Sequence, residues 1–165
     1  MYKVRVDYIA QDIDDEVKNA ILEFLANYDF PYSATVTDKK ALKNIFTEHF
    51  QKRHSLYWLK DQIIRIAINR RGVTPIALCE TNRLHTKGLG TVLLSKGQTK
   101  CTTVHTYGYT TPMSPECYRN LEGKTLDIKE IITNSFPKTV DELNRKDIAM
   151  IPQHVNCRHV MSPLE

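Results

Sequence analysis

Apolar residues recur at helical spacing through most of the first hundred positions, and the pattern changes character after Gly97. Ile13, Val17, Ala20, Ile21, Phe24 and Leu25 form one stripe, with Asp14, Asp15 and Glu16 in the first turn where the helix dipole favours acids, so a first helix begins at Asp12. It closes between Asn27 and Phe30, because Pro31 disfavours a helical residue before it. Thr37 or Asp38 can cap a second helix with Leu42, Ile45, Phe46 and Phe50 on its inner face. A break near His54 and Ser55 leads to a third, whose inner face is Leu56, Leu59, Ile63, Ile64, Ala67 and Ile68. Gly72 ends it, and Thr74-Pro75 supplies the start of a fourth that runs to Leu94. Ahead of all four, Tyr2, Val4, Val6 and Tyr8 alternate with Lys3, Arg5 and Asp7, the period of a short strand or extended arm.

Gly88 and Gly90 lie inside the fourth helix, where each costs about 1 kcal/mol relative to alanine. Their presence predicts either a bend or a close approach by another backbone. Beyond Gly97, Thr99 to Tyr109 reads as a strand, Pro112 and Pro115 punctuate a loop, and Gly123-Lys124 makes a turn. Thr125 to Ile128 reads as a short strand and Asp127 to Thr133 as a brief helix, while Asn134 to Ile151 has no clear period. The last residues of His154 to Met161 suit a strand that returns to pair with the earlier ones. The fold class is therefore α+β: an arm and helical region over residues 1–97, then a small antiparallel sheet-and-loop region over 98–165, joined into one compact unit through the last long helix.

A chain of 165 residues buries roughly 70% of its unfolded surface, so its four cysteines are not needed as a disulfide framework. Cys79, Cys101, Cys117 and Cys157 are widely spaced and follow no apolar leader, which suits a reducing compartment. No apolar run approaches the ~18 residues of a membrane span, so a soluble chain without a membrane partner is expected. Twenty-three Lys plus Arg against nineteen Asp plus Glu is only a mild excess. It concentrates between Lys39 and Arg71, where Lys39, Lys40, Lys43, Lys52 and Arg53 are candidate nucleic-acid contacts; the plainer alternative is a solvated helical face.

The densest chemistry lies in Cys117, His154, Cys157 and His159, because thiolates with imidazoles are what tetrahedral zinc selects. A metal would staple a region poor in regular structure. The spacing is loose: Ser114 stands where a Cys-x-x-Cys pair would have its first thiol, and buried thiols with hydrogen-bonded histidines are the alternative. Shared ligation predicts that Cys117 and Cys157 lie close in space. A Cys-His hydrolytic site lacks a carboxylate at a recognisable spacing to orient either ring, and no phosphate-binding glycine loop is present. Glu80 and Arg83, three apart on a helix with Lys87 beyond, read as a surface ion pair worth under ~1 kcal/mol. Trp58 reads as a core or helix-contact residue rather than a base-stacking platform.

Three of these landmarks, in this order, carry a resemblance. Glu80-Thr81-Asn82-Arg83 with Gly88, then Ser114-Pro115-Glu116-Cys117-Tyr118-Arg119-Asn120-Leu121-Glu122-Gly123-Lys124, then His154-Val155-Asn156-Cys157-Arg158-His159 together resemble the Mu F-like family of phage minor head proteins, also called phage head morphogenesis proteins. That family tends to show a helix opened by Arg-Thr-Glu, an Arg-Thr-Cys-x-x-Cys segment followed by Leu-Asp-Gly-Lys, and a terminal His-Pro-Asn-Cys-Arg-Cys run. The resemblance covers roughly residues 60–165. Here Leu78-Cys79 stands in place of Arg-Thr, Ser114 in place of the first thiol, Val155 in place of proline and His159 in place of the last cysteine. The resemblance implies a portal-associated minor capsid protein acting in head assembly and DNA packaging or delivery. Its partners would be the portal protein, other head proteins and packaged DNA, with no small-molecule substrate and no catalysis. It would be assembled in the host cytoplasm and located in the virion, at the head interior or portal vertex. The alternatives from the residues alone are a zinc- or Cys/His-dependent nuclease or other hydrolase, and a nucleic-acid-binding module.

Overall fold

The computed structural model describes residues 5–30, 36, 38–105, 115–136, 148–153, 157 and 159–164. A 3-10 turn (Val6–Tyr8) leads into α1 (Ile9–Asp12), followed by α2 (Asp15–Leu25), α3 (Lys39–Gln51) and α4 (Leu56–Ile64). A second 3-10 turn (Arg70–Gly72) precedes the long α5 (Val73–Ser95). Then come β1 (Lys100–His105), α6 (Pro115–Asn120), β2 (Leu126–Asp127), α7 (Ile128–Ser135) and β3 (His159–Pro163). Side chains cap several helices as the sequence suggests: Asp38 accepts the Ala41 amide at 3.0 Å and Ser55 the Trp58 amide at 3.2 Å. Three antiparallel strands in the order β2-β1-β3 form the sheet, with His105 opposite His159 and Lys100 opposite Asp127. The molecule is α+β, as expected.

α5 is the axis. Every residue from Ile76 to Thr86 is buried, so this helix is enclosed all round rather than on one stripe. On one side α1 to α4 supply a core that includes Ile21, Leu25, Leu42, Phe46, Phe50, Leu59 and Ile63. On the other, Leu93 joins Cys101, Cys117, Leu121, Ile128, Ile131, Ile151, Cys157 and Met161 in a second, smaller cluster, and Leu89 borders both. The two glycines of α5 mark close approaches. A Cβ at Gly88 would lie 2.5 Å from the Ile21 side chain and 3.0 Å from the Val17 carbonyl oxygen, and one at Gly90 would lie 2.4 Å from Ile132.

The structure corrects several expectations about the elements, among them the start of α5, which is Val73 after Gly72 rather than Thr74-Pro75. The described part of the arm is helical: Val6, Ile9, Ala10 and Ile13 are buried at helical spacing, and this burial outweighs the alternation of Val6 and Tyr8. The third helix stops at Ile64, because Ala67 turns away to bridge Val36 and leaves Ile68 exposed. The segment read as loop around Cys117 contains α6, opened by Pro115 at a position that suits proline's fixed φ. The expected strand beyond His105 lies outside the described residues.

Two buried histidines give the fold a pH dependence. His49 sits among Phe46, Phe50 and Trp58 with both ring nitrogens lacking hydrogen-bond partners among the described residues, and burial, then the nearby His54, pushes its pKa down to about 3. Burial alone takes His85 down to about 4. Both therefore stay neutral in the fold while the unfolded chain takes up protons below about pH 6.5. Their effect is nil above that pH, and below it stability falls by up to about 1.4 kcal/mol per histidine for each unit until the folded pKa is reached. The change in urea midpoint between pH 7 and pH 5 should be more stabilising toward low pH in His49→Leu than in the parent chain; an identical change in the two would contradict the assignment.

Candidate metal centre

α6 carries Cys117 and ends with the Leu121 and Glu122 amides both donating to the Cys117 carbonyl, at 2.9 and 3.0 Å. The chain then reverses through Leu121 to Lys124, whose amide donates to the Leu121 carbonyl at 3.3 Å. Gly123 has φ +65°, a left-handed conformation that glycine accepts without cost. The Thr103 hydroxyl donates to the same Leu121 carbonyl at 2.7 Å and fixes this turn against β1. From the other side, Cys157 precedes β3 and His159 opens it, and the Asn82 side-chain amide of α5 donates to the His159 carbonyl at 2.9 Å.

These two segments meet. The Cys117 and Cys157 sulfurs lie 3.6 Å apart, far beyond the ~2.05 Å of a disulfide bond, so both are thiols. One ligand atom each from Cys117, Cys157 and His159 falls within 4.8 Å of the others. All three residues are buried, at 2%, 5% and 0% relative exposure. The group can hold a metal ion. His159 Nε2 is 2.8 Å from Glu122 Oε2, while its Nδ1 is buried with no hydrogen-bond partner among the described residues. The Cys117 hydrogen bond, against the opposing effect of burial, holds the Cys157 thiol well below its ordinary pKa, with help from His159. Burial pushes His159 down, but Cys157 and Glu122 outweigh it and raise the imidazole. A sulfur disposed to lose its proton in a buried place suits a cation, which would take the place of protons on the sulfurs.

Of the four ligands expected from sequence, the structure brings Cys117, Cys157 and His159 together, and His154 lies outside the described residues. Cys101 is buried in the same apolar cluster but does not join the group; burial, then Asp127, raises its thiol to about 11. Glu122 escaped the sequence reading, although a carboxylate directly before the turn glycine of a cysteine-bearing segment is a usable signal.

The basic candidates are largely engaged within the chain. Lys39 pairs with Asp29 at 3.3 Å, Lys43 donates to the Ala26 carbonyl at 3.4 Å, and Lys52 pairs with Glu48 at 3.1 Å. Arg53 is a clamp, donating to the Ile13 carbonyl at 2.6 Å and to Asp15 at 2.7 Å, and its hydrogen bond holds the Asp15 carboxyl below its usual range. Lys40 has no such contact among the described residues and is exposed. Trp58 stacks on His54 with ring centroids 3.9 Å apart, a contact within the helical region as expected. The Glu80–Arg83 pair, by contrast, is not on the surface: Glu80 is fully buried and Arg83 nearly so. No helix among the described residues is long and apolar enough to cross a membrane. The chain matches no family model, no curated protein and no solved structure.

Proposed function

We propose that this chain is a structural component of a phage head, a Mu F-like minor capsid protein associated with the portal, whose C-terminal region is stapled by a zinc ion. One observation carries the reading: the three segments on which the resemblance rests converge in space. Cys117 from the middle segment meets Cys157 and His159 from the terminal run, and Asn82 of the helical segment holds the His159 carbonyl. A shared structural role of the three segments would require them to meet, and their convergence supports the reading on that ground.

The donor set favours zinc over harder cations, because two thiolates and an imidazole suit a borderline-soft ion. With Zn–S bonds of about 2.3 Å at a tetrahedral angle, two thiolates on one ion stand about 3.8 Å apart. The observed 3.6 Å is compatible with that. Such an ion would supply a cross-link between distant segments. A hydrolytic zinc needs a position open to water, whereas burial of all three ligands supports a cross-linking role over the nuclease alternative. In this reading Cys117 and Cys157 hold the ion as thiolates, His159 completes the described set, and Asn82 ties the site to α5.

The test is co-expression of the full chain with the portal protein of its own phage, with metal analysis of the purified product. The expected result is one zinc per chain and co-purification with the portal oligomer. A zinc-bearing chain that joins neither portal nor particle would overturn the head-protein reading, and a portal-bound chain free of metal would overturn the staple.

A further inference from the structure

We propose that Glu122 is the outer partner of the metal centre: its carboxylate accepts a hydrogen bond from the Nε2–H of His159, fixes the ring, and leaves Nδ1 as the ligating nitrogen. This rests on the zinc reading above.

A nitrogen that donates to a carboxylate has no lone pair to give a metal. The contact of 2.8 Å between Nε2 and Glu122 Oε2 therefore assigns ligation to the other ring nitrogen. Nδ1 is the atom that needs a partner, being buried and without a hydrogen bond among the described residues. Leaving a buried acceptor unsatisfied is unfavourable, and a metal bond would remove that cost. Metal-bound histidines commonly give their second N–H to a carboxylate in this way, which orients the ring and makes it a better donor.

The local backbone explains why Glu122 is the residue that does this. The Glu122 amide bonds the carbonyl of Cys117 at 3.0 Å, so ligand and outer partner ride on one short segment, and Gly123 at φ +65° turns the chain directly after them. The same segment thus grips β3 twice, through the metal and through the ring. His159 is held at its carbonyl by Asn82 and at Nε2 by Glu122. As a plain ion pair the contact would contribute little, because the Glu122 side chain is 40% exposed.

The experiment is a zinc titration of the reduced full chain against a chromophoric chelator, for the parent, Glu122→Gln, Glu122→Ala and Cys157→Ser. Long-range ¹⁵N–¹H spectra of the zinc-loaded parent identify the ligating nitrogen. Glu122→Ala is expected to weaken zinc affinity about 10- to 100-fold at unchanged stoichiometry. Glu122→Gln, whose amide oxygen still accepts from Nε2, should stay within a few-fold of the parent. The spectra should show a protonated Nε2 and a metal-bound Nδ1. Parent affinity in Glu122→Ala, or ligation through Nε2, would overturn this proposal while leaving the zinc site standing. A parent chain that takes up no zinc, like Cys157→Ser, would instead overturn the zinc reading itself. Should Glu122→Ala fail to fold, the parent's spectra decide alone.

Discussion

Arg83→Ala is expected to lower stability by about 3–5 kcal/mol, a large share of the 5–15 kcal/mol that holds a typical domain together. The Glu80 side chain is fully buried in the middle of α5, and the Arg83 guanidinium lies against its carboxylate. On the other oxygen, the Tyr28 hydroxyl donates at 2.8 Å, and burial lifts the Tyr28 phenol to about 12, so it keeps its proton as a donor. Truncating Arg83 leaves a carboxylate enclosed by protein and deprived of the cation it was buried against, which costs far more than the pair itself contributes. The double variant Glu80→Leu/Arg83→Leu removes both charges and should recover much of the loss. Urea unfolding of the parent, the single and the double variant at neutral pH checks this. A single-variant loss below about 1 kcal/mol would put the pair back among ordinary surface contacts.

That pair also shows what the sequence could and could not reveal. Residues three apart on a helix are neighbours wherever the helix sits, so spacing says that Glu80 and Arg83 touch but not what lies beyond them. The helices α2, α3 and α4 bury one side each, and their apolar stripes were readable. The burial of α5 was not, because Glu80, Asn82, Arg83 and His85 interrupt its apolar positions and find their partners only in the folded chain. Its glycines were more informative: of the bend or close backbone approach they suggested, Gly88 shows the approach, at the Val17 carbonyl of α2, whereas at Gly90 it is side chains of α7 that come close. In the arm, Val6 belongs both to an alternating pattern and to a helical one through Ile9, Ala10 and Ile13, and contact with the core chooses between them. The six residues of α6 are too few to show a period at all.

At the candidate centre, residue type sufficed to single out Cys117, Cys157 and His159, because few other side chains serve as soft ligands. Glu122 needed geometry. The turn at Gly123 was readable directly after it, but the Thr103 bond to the Leu121 carbonyl, which fixes that turn against β1, is not written in the spacing of the segment.

If Cys117, Cys157 and His159 hold the proposed zinc, its removal should separate the two halves of the molecule. The helical side has an extensive core, to which β3 adds Val160 and β1 adds Val104, whereas the rest of the sheet side relies on a small cluster and a three-stranded sheet in which β2 spans only two residues. A unit of that size rarely holds itself together without a staple, and structural zinc supplies about 10–16 kcal/mol of apparent binding energy in small domains. Chelation of the reduced protein, or Cys157→Ser, is therefore expected to open β1, β3 and α6 while α2 to α5 persist. Reductant matters, because sulfurs 3.6 Å apart could otherwise pair under oxidation and replace one cross-link by another. Hydrogen exchange reads the two sides separately: amides of Thr102 to His105 and Val160 to Ser162 should lose at least about 3 kcal/mol of protection, those of Leu42 to Phe50 little. Cys79→Ala, at a thiol of α5 outside the group, should leave zinc uptake intact. Exchange in the sheet that does not respond to chelation would mean that apolar packing against Leu93 and Ile128 is enough, and that Cys117, Cys157 and His159 are a buried polar cluster with no cross-linking role.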